Sequence, residues 1–322
     1  MAGTGGDLWQ LTGQLIMWYY WVLGVLAGLA ILPVYLERRC KPVSDYDRSQ
    51  TAGDLARLSQ GLTHYRWVGP ARGPVAVIVH GMSTSSASIS GFAQGLGEMG
   101  YRVLVYDLYG RGLSDNVAGR QDRAYFLRQL TDLLAFHRLS EDITLVGYSM
   151  GGAIATAYSA QNPHCIKRLI LIAATGVVTT EGRFARFCRK TPVLGDWLHA
   201  VLARRRLSRA IPRVGPSSMA GKVYASQRLE LRRRGFMPSL LKSSRGMLYE
   251  VQEKDHRRLG RVDVPTIAIW AEHDQIIPIQ ALGVLAQWHR DIHQEVVAGA
   301  DHAMPYTHCP QLLQALVRAM RP

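Results

Sequence analysis

Short apolar runs and longer helical patterns alternate along most of this chain, and that rhythm predicts the fold class. Residues 75–80, 103–107, 143–147 and 169–173 are short runs rich in Val, Ile and Leu. Runs of this kind suit strands buried on both faces of a parallel sheet. Helical patterns lie around 92–99, around 125–138 and at 152–161, the last closed by Asn162-Pro163. The rhythm stops after residue 175 and resumes with an apolar run at 266–271, a helix near 280–289, a strand at 295–297 and a terminal helix at 311–319. This βαβα order predicts an α/β fold with a mostly parallel central sheet flanked by helices. The interruption at 176–261 has no convincing strand, several short helical pieces, and breakers at Pro192, Pro212, Pro216 and Pro238. It reads as a helical cap inserted between two strands. The organisation expected is 1–41, a membrane anchor with a basic flank; 42–175, the first part of the core; 176–261, the cap; and 262–322, the second part of the core.

Residues 15–36 contain no charge. As a helix they span roughly 33 Å, enough for a bilayer core. Trp18, Tyr19, Tyr20 and Trp21 gather near the start of this stretch and Tyr35 near its end, as in an interfacial aromatic belt. Pro33 is expected to end or kink the helix near the boundary. A cleaved signal peptide fits poorly, because Asp7 stands where Lys or Arg is expected and the apolar run is long. Only Asp7 and the free amine precede the stretch, while Arg38, Arg39 and Lys41 follow it. The positive-inside bias therefore places the C-terminal body in the cytoplasm of a single-pass membrane protein.

The chain has 322 residues, 48% of them hydrophobic, and a formal net charge of +14, which excludes a disordered polyelectrolyte. Residues 176–261 hold 20 Lys and Arg against 6 Asp and Glu, so the cap carries the whole excess. No helix-turn-helix, zinc-finger or RNP pattern accompanies this charge, so nucleic acid is not the expected partner. The Arg204-Arg205-Arg206 and Arg232-Arg233-Arg234 clusters are candidates for contact with anionic headgroups, with solvated helix faces as the alternative. Cys40, Cys165, Cys188 and Cys309 are far apart and form no CxxC pair, which suits unpaired thiols in a reducing compartment.

The chemistry is concentrated in Gly147-Tyr148-Ser149-Met150-Gly151, a G-x-S-x-G between an apolar strand and an Ala-rich helix. A serine on a sharp strand-to-helix turn exposes its hydroxyl at the carboxyl edge of the sheet, and flanking glycines make room for the turn. A serine hydroxyl needs a histidine base held by a carboxylate. Asp274 follows the strand at 266–271 and His302 follows the strand at 295–297, in the order Ser, acid, His. Glu272 and Asp301 are the rival carboxylates. The amide of Met150 is one oxyanion donor, and Met82, in the loop after residues 75–80, is the candidate for the second. Tyr148 lines the elbow and is a candidate substrate contact. His80 is expected to shape the Met82 loop, and Asp107, Gly110 and Ser114 to hold a turn.

These marks resemble the α/β-hydrolase superfamily over about residues 62–320: His80-Gly81, the stretch from Asp107 through Gly110-Arg111-Gly112 to Ser114, the elbow at Ser149, Asp274 before Pro278, and His302. Within it the chain resembles membrane-anchored, monoacylglycerol-lipase-like serine hydrolases and, less closely, meta-cleavage C–C bond hydrolases. The resemblance implies a cap inserted after the sixth of eight strands and hydrolysis of an amphipathic ester through an acyl-enzyme, with no metal or organic cofactor. Where the C–C hydrolases carry an aromatic residue after the catalytic histidine, this chain has Ala303. C–C cleavage or another acyl transfer is the second expectation, and a non-catalytic membrane-surface module is the third.

Overall fold

The computed structural model describes residues 5–321, with side chains from Thr12 onward. Eight strands form one sheet: β1 (Asp54–Arg57), β2 (Leu62–Val68), β3 (Val75–Val79), β4 (Arg102–Tyr106), β5 (Ile143–Tyr148), β6 (Ile166–Ile172), β7 (Thr266–Ala271) and β8 (His293–Val297). Their order across the sheet is β1-β2-β4-β3-β5-β6-β7-β8. β2 runs antiparallel to both β1 and β4, and every other pair is parallel. The parallel strands β3 to β7 are those expected from the apolar runs, and β8 is the strand expected at 295–297, each to within a few residues. The β1–β2 hairpin was not expected. It lies at the edge of the sheet and mixes exposed and buried positions, so it lacks the continuous apolar run of a strand covered on both faces.

The helices are α1 (Gly5–Arg38), α2 (Asp45–Ser49), α3 (Ser90–Glu98), α4 (Arg123–Phe136), α5 (Met150–Gln161), α6 (Arg183–Lys190), α7 (Leu194–Leu198), α8 (Arg204–Ala210), α9 (Met219–Glu230), α10 (Phe236–Arg245), α11 (Glu253–Arg261), α12 (Gln280–Trp288), α13 (Met304–Thr307) and α14 (Cys309–Met320). Side chains along each strand alternate between two cores. Val77 and Val79 face a core shared with Phe126, Leu130, Ile154 and Leu285, while Ala76 and Ile78 face Phe92, Leu96, Leu312 and Leu316. Helices thus cover both faces of the sheet. Helices α6 to α11 lie between β6 and β7. The last of these, α11, packs against α5 and α12 beside the sheet.

α1 is long and apolar enough to cross a membrane, and none of its apolar window is buried by the rest of the protein. It runs through Pro33 to Arg38 instead of stopping near the proline. Pro33 has no N–H for the carbonyl of Leu29, four residues earlier, and that carbonyl would be an orphan in an apolar setting. The indole Nε1–H of Trp197, just beyond the start of α7, donates to it at 2.7 Å. The following turns are fastened as well. Arg204 pairs with Glu37 at 3.2 Å and reaches the Cys40 Sγ at 2.6 Å. The Gly235 amide donates to the other Glu37 oxygen, and Arg234 donates to the carbonyls of Arg38 and Cys40. Lys41 and Arg233 form an isolated parallel bridge. The two arginine clusters are therefore not uniformly free to meet headgroups. Arg204 and Arg234 hold the helix end, and Arg233 pairs with Glu230 at 3.0 Å, while Arg205 and Arg232 stay exposed.

His256 on α11 is buried against Trp288, and burial, with His289 beside it, pushes its pKa down to about 3. Folding holds it neutral, so the stability linked to it is intact above the unfolded pKa of about 6.5 and is lost as pH falls toward the folded value. Chemical denaturation should show His256→Leu resisting acid better than the wild type, by about 1.4 kcal/mol for each pH unit below roughly 6. Equal pH slopes would contradict that assignment. Trp197→Phe should destabilise the detergent-solubilised chain by about 1–3 kcal/mol, through the orphaned Leu29 carbonyl. Combined with Pro33→Ala, which returns an N–H to that carbonyl, the same substitution should cost measurably less. A purely additive pair would show that the indole has another role.

Candidate active site

β5 ends at Tyr148 and α5 begins at Met150, leaving Ser149 alone in the turn with φ 54° and ψ −122°. Holding a non-glycine residue there costs on the order of 1–3 kcal/mol, so neighbouring structure must enforce it. The Ser149 amide donates to the Ile172 carbonyl at 2.9 Å, and its own carbonyl accepts from Gly152 at 2.9 Å and Thr175 at 3.1 Å. Backbone approaches closely on both sides. A Cβ on Gly147 would sit 2.4 Å from the Gly151 carbonyl oxygen, and one on Gly151 would sit 2.1 Å from that of Val79.

The loops after β7 and β8 bring the other two residues to this turn. His302 Nε2 lies 3.0 Å from Ser149 Oγ, and His302 Nδ1 lies 2.7 Å from Asp274 Oδ2. The Asp274 side chain is fully buried, and its second oxygen accepts the amides of Ile276 and Ile277, each at 2.8 Å. With both amides on Oδ1, Oδ2 is left aimed at the imidazole, which fixes the proton on Nδ1 and leaves Nε2 free to accept one. The rival carboxylates are occupied elsewhere: Glu272 accepts the Gly299 amide and Asp301 the Ala303 amide. Tyr148, the candidate substrate contact, donates its hydroxyl to the His302 carbonyl at 2.8 Å, with its ring 5.4 Å from the imidazole. It lines the cavity and also steadies the histidine loop.

Met150 opens α5, so its amide is among the first-turn donors without an intrahelical acceptor. Met82 lies in the loop after β3, facing the same cavity as Ser149. His80 shapes that loop. Its Nδ1–H donates to the Gly81 carbonyl at 2.7 Å and its Nε2 accepts the Leu108 amide at 2.9 Å. Burial pushes its pKa down to about 4, so it is a neutral spacer at neutral pH. Asp107 is buried and accepts the amides of Ser86 at 2.8 Å and Leu113 at 3.0 Å, with His64 Nδ1 at 2.9 Å. Burial works against its charge, but the hydrogen bonds from His64 and the Leu113 amide outweigh it and hold the carboxyl below the usual range.

Arg111 is the residue that sequence reasoning passed over as part of a turn. Its guanidinium is buried and donates to the Met82 carbonyl at 3.0 Å, the Tyr109 carbonyl at 3.0 Å, Gln121 at 2.6 Å and Ser243 at 2.7 Å. Burial lowers its pKa to about 10, which still leaves it charged at neutral pH. The Met82 loop is thereby tied to α10 of the inserted helices. The only sequence signal was an arginine within an otherwise turn-forming stretch, with nothing nearby to show that it points inward.

The cavity over Ser149 has a volume of about 530 Å³. Leu207, Ile211 and Phe236 from the inserted helices give it an apolar wall, and Thr180, Gln275 and Gln227 give it polar ones. Among the described residues no group of three or more His, Cys, Asp or Glu is arranged to hold a metal ion. Residues 70–306 match the family described as serine aminopeptidase, S33. The chain belongs to that family. It accordingly has the α/β-hydrolase fold. An uncharacterized protein of Mycobacterium tuberculosis (strain ATCC 25618 / H37Rv) is 33% identical over 105 residues, 33% of this chain but only 30% of that one, so this chain spans under a third of that relative. The pimeloyl-[acyl-carrier protein] methyl ester esterase of Aeromonas salmonicida is 24% identical over 249 residues, 77% of this chain and 95% of that one. A crystal structure titled as a membrane phospholipase A, a novel bacterial virulence factor, aligns with TM-score 0.64 at 18% identity over 95% of this chain and 99% of that one, which shows a shared fold.

For this S33-family chain, Arg111→Lys should lower kcat for nitrophenyl acetate at least tenfold with little change in KM, since an ammonium cannot hold Met82, Gln121 and Ser243 together. An unchanged kcat would mean that the Met82 loop keeps its shape without the guanidinium.

Proposed function

We propose that this protein is a membrane-anchored serine hydrolase that cleaves carboxylic esters of amphipathic, monoacylglycerol-like substrates through an acyl-enzyme on Ser149. The observation that carries the reading is the unbroken chain from Ser149 Oγ through the His302 ring to the buried Asp274, at 3.0 and 2.7 Å. In the mechanism, Ser149 Oγ attacks the ester carbonyl as His302 Nε2 takes its proton, and Asp274 stabilises the imidazolium. The amides of Met82 and Met150 receive the developing oxyanion, a contribution of several kcal/mol. His302 returns the proton to the departing alcohol. A water molecule, deprotonated by the same imidazole, then releases the acid from Ser149. Tyr148 contacts the substrate beside the elbow, and no metal or organic cofactor enters the cycle.

An amphipathic substrate suits a cavity lined by both apolar and polar side chains. The Aeromonas relative's name as an ester esterase and the membrane phospholipase A title support ester cleavage at a membrane. Ala303 in place of an aromatic residue favours esters over C–C cleavage. α1 serves as a single-pass anchor, and Arg38, Arg39 and Lys41 beyond it set the hydrolase body on the cytoplasmic side. Val193 and Leu194, both exposed beside the end of α1, suit the same setting.

Parallel turnover of monoacylglycerols, short nitrophenyl esters and dienoate-type diketones tests this reading, with the two ester classes expected to be cleaved and the diketones spared. Asp274→Asn should lower ester kcat by about 10³–10⁴, because the amide no longer fixes the histidine tautomer. Diketone cleavage without ester cleavage would transfer the triad to C–C chemistry, and salt-sensitive liposome binding without any turnover would leave only a binding module.

A further inference from the structure

A second cavity, of about 1000 Å³, shares no lining residue with the one over Ser149. One wall is α1 from Leu29 to Arg38; the other is built by Leu194, Trp197 and Ala200 around α7 and by Met237 and Leu241 of α10. Its size is at the upper end of the range for small-molecule sites, and its walls are largely apolar.

Height, charge and exposure together say what fills it. Counted from Leu15, about twenty helical residues cross the hydrocarbon layer. Leu29 to Val34 then lie in its last third, with Glu37 and Arg38 at headgroup level, so the groove opens sideways onto acyl chains. At its rim, Arg38 and Lys242 have no ion-pair partner among the described residues, and Arg234 donates to backbone carbonyls alone. The two rim carboxylates are already engaged, Glu37 by Arg204 and Asp196 by Arg245. The rim therefore keeps uncompensated positive charge. At the mouth, Val193 is 82% exposed with a backbone φ of 64°, and Leu194 beside it is exposed too. Two apolar side chains held out on a turn gain by meeting lipid rather than water.

We infer that this groove holds one anionic phospholipid, with an acyl chain against Trp197, Met237 and Leu241 and its phosphate at the rim formed by Arg38, Arg234 and Lys242. The inference rests on the reading of α1 as a membrane anchor. The lipid is a bound partner and not a substrate, because Ser149 opens into the other cavity. α10 stands between the two: Met237 lines the groove and its neighbour Phe236 lines the catalytic cavity.

Tryptophan quenching in nanodiscs tests it, with the full chain carrying Trp9→Phe, Trp18→Phe and Trp21→Phe, so that Trp197 is the only remaining tryptophan beside the anchor. Phosphatidylglycerol brominated on its acyl chains should quench Trp197 in preference to brominated phosphatidylcholine. Arg38→Gln should weaken the preference about fivefold and adding Lys242→Gln about fivefold again, as expected for charges near a membrane surface. Arg258→Gln, on the exposed face of α11, should leave it unchanged. Equal quenching by the two lipids, a preference that survives the double substitution, or a Trp197 shielded from all lipid by a second copy of the chain would each overturn the site. The chain with its native tryptophans separates the two readings. Quenching of Trp18 and Trp21 without Trp197 overturns the groove alone, whereas no quenching of any of them removes the anchor and the groove together.

Discussion

The backbone of Ser149 is the constraint around which this molecule is arranged. A serine forced to φ 54° between a strand and a helix is stable only where its amide and carbonyl are both bound and the chains on either side come within backbone contact. β6 supplies the Ile172 carbonyl, the Thr175 amide follows it, and β3 presses the Val79 carbonyl against Gly151. The central strands of the sheet thus hold one side chain at the sheet edge, and the loops after β7 and β8 only have to reach it.

Around that point the polar groups are fixed mainly by neutral or backbone partners. His80 is kept uncharged by burial, Arg111 spends its guanidinium on carbonyls, an amide and a hydroxyl, and Asp107 collects backbone amides as well as His64. Each is satisfied, as burial requires, and each ties together segments distant in sequence. Arg111 has the widest reach, since it joins the Met82 loop to Ser243 on α10, and α10 also forms a wall of the groove against α1. α1, the inserted helices and the Met82 loop are consequently one connected structure.

What could be read from the chain followed from locality. The strands β3 to β7 were legible because burial on both faces leaves apolar runs, and the meeting of Ser149, Asp274 and His302 was legible because each follows a strand in a recognisable order. The β1–β2 hairpin was not, because β1 is only four residues long and His64, Arg66 and Trp67 break any apolar run along β2. Pro33 was read as ending or kinking the helix, since the indole that relieves its missing bond belongs to Trp197, far along the chain. By charge alone the arginine clusters read as either headgroup contacts or solvated helix faces, whereas Glu37 and Glu230 hold Arg204 and Arg233, and backbone carbonyls hold Arg234. Arg111 was missed for the same reason: its partners come from four separate segments.

The most direct test of the account is to locate a covalent adduct. A fluorophosphonate incubated with the full-length chain should appear by peptide mass spectrometry on Ser149, and the labelling should vanish in Ser149→Ala and slow sharply in His302→Gln. A folded wild-type protein that takes up no label, or takes it up at another residue, would contradict it.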